Sequence, residues 1–190
     1  PLIEGFWYGI LLQPLIEGFW YGILKANAMI LTRRERDFFN AKEGWLDSRF
    51  HFSFDHYNDP QNNDWGSLRV FNDDRIAPGG AFEMHPHAGF EIVTVVLSGT
   101  LEHQDGMGGK GRLAAGDVQA MSAGSGMLHS ERNAGKDTLH LLQIWIGPSS
   151  PTEPPVWKQT RFEPKDWSGR LLMLVSGDGK APLKIREKAE

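Results

Sequence analysis

The sequence predicts an all-β chain folded as a jelly-roll-type β-barrel. Phe50, Phe52 and Phe54 alternate with His51 and Ser53, the period-2 signature of a half-buried strand. Short apolar and β-branched runs follow at close spacing, separated by Gly/Pro turns. No long amphipathic helix competes with them. Such a barrel brings distant stretches of chain together inside one mouth.

The elements follow in order. After the Phe-rich strand, Asp59-Pro60 and Asn62-Asn63-Asp64 mark a loop. Ser67 to Phe71 reads as a second strand and Asn72-Asp73-Asp74 as a turn, with Pro78-Gly79-Gly80 as further punctuation. Glu91 to Leu97 is β-branched and apolar and is closed by Ser98-Gly99. Leu101 to Gln104 comes next, then a Gly-rich turn at Asp105-Gly106 and Gly108-Gly109. Val118 to Met121 is a short strand ended by Ala123-Gly124-Ser125-Gly126. Leu139 to Ile146 is a strong strand stopped by Gly147-Pro148. Arg170 to Ser176 reads as one more apolar strand, and the chain ends polar at Lys188-Ala189-Glu190.

Three segments organise the 190 residues. In residues 1–28, the run from Pro1 to Leu11 recurs unchanged from Pro14 to Leu24. Two copies are too few for a solenoid, and Glu4 and Glu17 interrupt what would be the apolar region of a signal peptide. The segment reads as a non-native or disordered leader (a recent duplication, an over-extended start or a cloning scar), with Met29 as the native beginning. The alternative is a sticky arm built on Phe6, Trp7, Tyr8 and their copies. Residues 29–150 form the main domain. Residues 151–190 begin with a Pro-rich linker and are too short for a core of their own, so they must lean on the first domain or begin a second.

Bulk composition excludes several classes of function. Hydrophobic residues make up 40% and charged residues 23% of the chain, as in an ordinary globular protein. A net charge of −4, without basic runs, argues against direct nucleic-acid binding. No apolar run reaches the ~18 residues of a membrane span. With no cysteine, disulfides and thiolate-bound metals are both ruled out, and a cytoplasmic address is expected.

Chemistry concentrates in two short motifs. In a strand, residues two apart share a face, so His85 pairs with His87 and His129 pairs with Glu131. Two such pairs on neighbouring strands present three imidazoles and a carboxylate to one point, a ligand set for a divalent transition metal with open positions. Pro86 suits an edge or bulge at a barrel mouth. The carboxylate is ambiguous: Glu91 has the same parity as His85 and His87, so spacing leaves Glu131 and Glu91 as rivals. Four histidines receive structural readings, namely His103 as a strand-surface residue, His51 and His56 as packing partners and His140 as a hydrogen-bonded one. Trp145 and Phe82 read as core.

Several stretches resemble the pirin family of the cupin superfamily, in its bacterial pirin-like quercetin 2,3-dioxygenase branch. They are Leu68 to Asp74, His85-Pro86-His87 with Phe90 to Thr94, Leu101 to Gly108, Gly116 to Gln119, Met121 to Glu131 and Leu142 to Ile146. The resemblance implies a cupin barrel followed by an incomplete second cupin at the C-terminus. It implies one metal, iron first, with Mn, Ni, Co, Cu or Zn as alternatives. By position, the implied ligands are His85, His87, His129 and Glu131, which selects Glu131 over Glu91. The implied activity is dioxygenation of a flavonol-like substrate, opening its central ring with O₂ and releasing CO, with Glu131 as general base. The family also implies an alternative, a metal-binding regulatory protein that engages a protein partner without turnover. Strands missing from the second cupin would leave Leu171 to Val175 unpaired.

Overall fold

A computed structural model describes residues 33–147 and 152–186. The duplicated leader, most of the expected linker (Pro148 to Pro151) and the polar end lie outside the described residues. After a 3-10 turn at Glu35–Asp37, the strands are β1 (Phe39–Glu43), β2 (Leu46–Phe50), β3 (Leu68–Ile76), β4 (Ala81–His87), β5 (Glu91–Ser98), β6 (Thr100–Asp105) and β7 (Lys110–Ala114). They continue as β8 (Asp117–Ser122), β9 (Met127–Asn133), β10 (Leu139–Ile146) and β11 (Val156–Arg161). A single helical turn, α1 (Pro164–Trp167), precedes β12 (Val175–Ser176) and β13 (Leu183–Lys184).

The strands form a seven-stranded sheet, ordered β1-β2-β3-β10-β5-β8-β11, and a four-stranded sheet, ordered β4-β9-β6-β7. Pairing within both is antiparallel, and β12 and β13 form a small parallel pair. The sheets face each other across a core in which Leu46, Ile76, Val96, Leu139 and Leu141 of the larger meet Leu101 and Leu113 of the smaller. This is the jelly roll expected from the strand pattern. Trp157 on β11, one edge of the large sheet, reaches Gly111 on β7, an edge of the small one. A Cβ at Gly111 would lie 2.5 Å from the indole, so only glycine lets the two edges close on each other there.

The outer face of the large sheet is also apolar, which is why the C-terminal segment stays with it. Val93, Val118 and Ala120 pack under Phe162, Leu183 and Ile185, with Leu172, Leu174 and Val175 around them. At roughly 1.5–3 kcal/mol per large side chain, burying Phe162, Leu183 and Ile185 rivals the ~5–15 kcal/mol net stability of a whole domain.

Three local expectations are corrected. β2 ends at Phe50, so the alternation to Phe54 is not a strand. Phe54 bridges Tyr57 across a turn in which Asp55 takes a φ of 50°, and Ser53 bonds to Asp59 and Asn62. Asn72, Asp73 and Asp74 are not a turn but the middle of β3, buried at 2–3% exposure. The two carboxylates are met sideways: Asp73 accepts from Arg75 and pairs with His140, and Asp74 accepts from Ser48. Finally, only Val175–Ser176 of the stretch from Arg170 is strand: Leu172 and Leu174 pack on the outer face through their side chains, while Leu171 and Met173 are exposed.

Candidate metal centre

The ligand motifs lie on adjacent strands of the small sheet. β4 is its edge and pairs with β9 so that His85 faces His129 directly and His87 faces Met127. The edge position is the one the proline between the histidines suggested, and a register shift precedes the pair, between Phe82 and His85. Directly opposed residues share a face, so His85, His87 and His129 all turn into the barrel. Their ring centroids are 4.5–4.7 Å apart. One nitrogen from each ring lies within 4.8 Å of the others. A second cluster, built on the same His129, adds His103 and Glu131. His103 opposes Glu131 across β6 and β9, as Asp105 opposes His129.

Glu131 is 2% exposed, and both its oxygens are engaged. Gln119 Nε2 donates to Oε1, and Gln143 Nε2 donates to Oε2 at 2.9 Å. The glutamines are themselves oriented by indoles: Trp157 Nε1 donates to Gln119 Oε1 at 2.9 Å, and Trp145 Nε1 to Gln143 Oε1 at 3.1 Å. Burial pushes the Glu131 carboxyl up to about 7 and nearby Asp74 adds to that, while the two amides hold it down. Burial lowers His87 to about 4, helped by His85, and lowers His129 to about 2, helped by His85, His87 and His103. These two rings are therefore neutral near pH 7 and carry the lone pair a metal needs.

Glu91 is elsewhere. β4 stops at His87, Gly89 takes a φ of 69°, and β5 starts in the other sheet, so the parity that linked Glu91 to the histidines is broken. Its carboxylate points to the outer face, accepting from Ser122 Oγ and, at 3.2 Å, from the Arg186 backbone N–H.

The remaining readings divide. His140 is hydrogen-bonded to Asp73, His51 stacks on Phe38, and His56 contacts Asp55, as expected of structural histidines. Phe82 packs into the core against Trp45. Trp145 is core too, but it also meets the edge of His87 at 4.7 Å and orients Gln143. His103 is not on the surface: it is fully buried between His129 and Trp157. The signal for it was present, since His103 shares parity with apolar Leu101 and alternates with polar Glu102 and Gln104. Gln119, polar within an apolar strand, was a similar sign.

The donor set suits a metal on structural grounds. His129 Nε2 is buried without a hydrogen-bond partner, a costly state for a ring nitrogen unless something else occupies it. The His85 Nδ1 lies 2.6 Å from the Glu83 carbonyl, so it carries the proton and Nε2 is left to coordinate. Imidazole and carboxylate without thiolate fit a first-row divalent ion. Beside His87 a space of about 570 Å³ opens at the end of the sheet, lined by Pro86, Ala88, Met107, Met127 and Leu128 among others.

Residues 32–146 match the family model for Pirin. The chain belongs to the pirin family. Among its relatives, a pirin-like protein of Caulobacter vibrioides is 49% identical over 151 residues, covering 78% of this chain and 65% of that protein. A quercetin 2,3-dioxygenase of Escherichia coli is 44% identical over 163 residues, covering 85% of this chain and 70% of that protein. The chain thus spans just under two thirds of the length of the Caulobacter relative. The bacterial pirin YhhW of Escherichia coli, solved in complex with nickel(II), superposes with a TM-score of 0.74 at 41% identity, covering 82% of this chain and 67% of that one. The pirin barrel is therefore a cupin jelly roll, and a metal is held in that relative.

Proposed function

We propose that this pirin is a metal-dependent dioxygenase acting on a flavonol-like substrate, with His85, His87, His129 and Glu131 as its metal ligands and iron as the first candidate metal. The observation that carries this reading is the convergence of three imidazoles, one with a buried and unpartnered Nε2, beside a glutamate whose oxygens are held by two amides. When bound, the cation would supply Lewis acidity toward a hydroxyl oxygen and, if redox-active, a path for electrons.

The chain's own residues would do the rest. The rim beside His87 exposes Met107 and Leu128 over a space of about 570 Å³, apolar surface fitted to the face of a planar aromatic substrate. Glu131, raised by burial toward neutrality, would accept the proton of a flavonol hydroxyl. Gln119 and Gln143 would keep that carboxylate oriented while it changes charge. No helix among the described residues is long and apolar enough to cross a membrane, and a cytoplasmic setting belongs to this proposal.

Metal-free protein loaded anaerobically with Fe(II), Mn(II), Ni(II) or Co(II), then given quercetin and air, should bleach the flavonol band and release CO. Absence of turnover with all four metals would remove the enzymatic reading. A rise in melting temperature on loading would still support the metal site, because a ligand of the folded state stabilises it.

A further inference from the structure

We infer that Asp105 and His103 form a relay that fixes the tautomer of His129, making His103 a positioning residue for the metal centre. The inference deepens the metal-ligand reading of His129 and rests on it. Asp105 and His129 face each other across β6 and β9, with His103 two residues before Asp105 on the same face. His103 Nδ1 lies 3.4 Å from His129 Nδ1, and His103 Nε2, which has no hydrogen-bond partner, faces Asp105 Oδ2 at 3.8 Å, a charge contact longer than a hydrogen bond. The other Asp105 oxygen is committed: Oδ1 accepts the backbone N–H groups of Met107 and Gly109, each at 2.8 Å. That turn leaves Oδ2 facing His103. A Cβ at Gly109 would fall 2.2 Å from Oδ2, so the approach of the carboxylate depends on that glycine.

The proton positions follow from pairing donors with acceptors. In its neutral form each ring has one N–H and one lone pair. A carboxylate only accepts, so the His103 proton belongs on Nε2, facing Asp105. His103 Nδ1 is then a lone pair, which requires His129 to carry its proton on Nδ1. His129 Nε2, which has no hydrogen-bond partner, is thereby left as a lone pair for the cation. In the opposite arrangement His103 Nδ1 would donate to His129 Nδ1, and His103 Nε2 would set a lone pair against the Asp105 carboxylate. Two buried acceptors facing each other is the costlier state. Trp157 locks the relay, its indole stacked on His103 at 4.7 Å and 3° from parallel. Carboxylates commonly orient metal-binding histidines in this way; here one extra imidazole lies between them.

The test is Asp105→Asn, which keeps the oxygen that caps the turn and replaces Oδ2 with an NH₂. That donor should force His103 Nε2 to accept, move the His103 proton to Nδ1 and push the His129 proton onto Nε2. In metal-free wild type, ¹⁵N NMR of the imidazoles should show His129 protonated at Nδ1, and the variant should show it at Nε2. Affinity for Ni(II) or Co(II), read by chelator competition, should fall about 10- to 100-fold. A wild-type His129 protonated at Nε2 would overturn the relay, and so would a variant with unchanged tautomer and affinity. Wild type with the Nδ1 proton but no metal affinity would support the relay while removing the metal reading. Should the variant fail to fold, the wild-type spectrum decides alone.

Discussion

Gln143 Nε2 donates to Glu131 Oε2 at 2.9 Å, while the Oε1 of the same glutamine accepts the Trp145 indole N–H at 3.1 Å. The amide cannot flip without losing both bonds, so it presents a donor to the carboxylate continuously. Replacing it by leucine removes an interaction that favours the ionised form. Gln143→Leu should therefore raise the Glu131 pKa beyond about 7. If Glu131 accepts the substrate proton, the rising limb of the rate–pH profile moves to higher pH. A profile unmoved on the pH axis would show that another group limits the rate.

The two rival carboxylates are separable by substitution. Glu131→Gln should lower turnover by at least about 100-fold, as loss of a general base does, and reduce bound metal. Glu91→Gln should leave metal content intact, since Glu91 lies on the outer face beneath Arg186. Its cost should appear in stability, at about 1–3 kcal/mol for a weakened buried hydrogen bond. Metal analysis beside urea melts of both variants checks this; loss of metal from Glu91→Gln would reverse the assignment.

Acid should destabilise the metal-free protein. His51, His87 and His103 sit near 4 and His129 near 2 in the folded chain, against an ordinary 6.5, mainly because burial disfavours their charged forms. The unfolded chain takes up protons first, so the stability these rings contribute is complete above pH 6.5 and is lost as pH falls toward 4 and, for His129, toward 2. Glu131 and Asp74, raised to about 7 and about 6, act oppositely: their contribution is complete below their unfolded values and is lost as pH rises through those folded values. Four rings outweigh two carboxyls, so the urea midpoint should drop between about pH 7.5 and about pH 5. A midpoint that holds or climbs would show that the rings are not neutral by burial.

Gly111→Ala should act at a distance in sequence. The added Cβ meets Trp157 at 2.5 Å and the Gln159 side-chain oxygen at 2.4 Å. Gln159 can swing away, but the indole is held between His103 and Gln119. A loss of about 1–3 kcal/mol, typical of overpacking, should accompany a changed tryptophan emission. Wild-type emission in the variant would mean that Trp157 does not pack there.

Most of this site could be read from the chain because strand parity is a local property: His85 with His87 and His129 with Glu131 needed only alternation. Parity fails where a strand ends, and nothing in Glu91 itself announces that Gly89 turns the chain into a different sheet. Asn72-Asp73-Asp74 reads as a turn by propensity, yet partners supplied by β2 and β10 hold it in a strand, through contacts up to 67 residues away. His103 was misplaced for a related reason. Its burial depends on Trp157, more than fifty positions later, arriving over a glycine.

Pro86 gives the small sheet an unusual border. It sits on an outermost strand, contributes no N–H, and neighbours a register shift. Borders of this kind resist being extended by a foreign strand. The histidine pair can thus stay at the open margin of the barrel, reachable by small molecules, without inviting another polypeptide to zip alongside and seal the entrance.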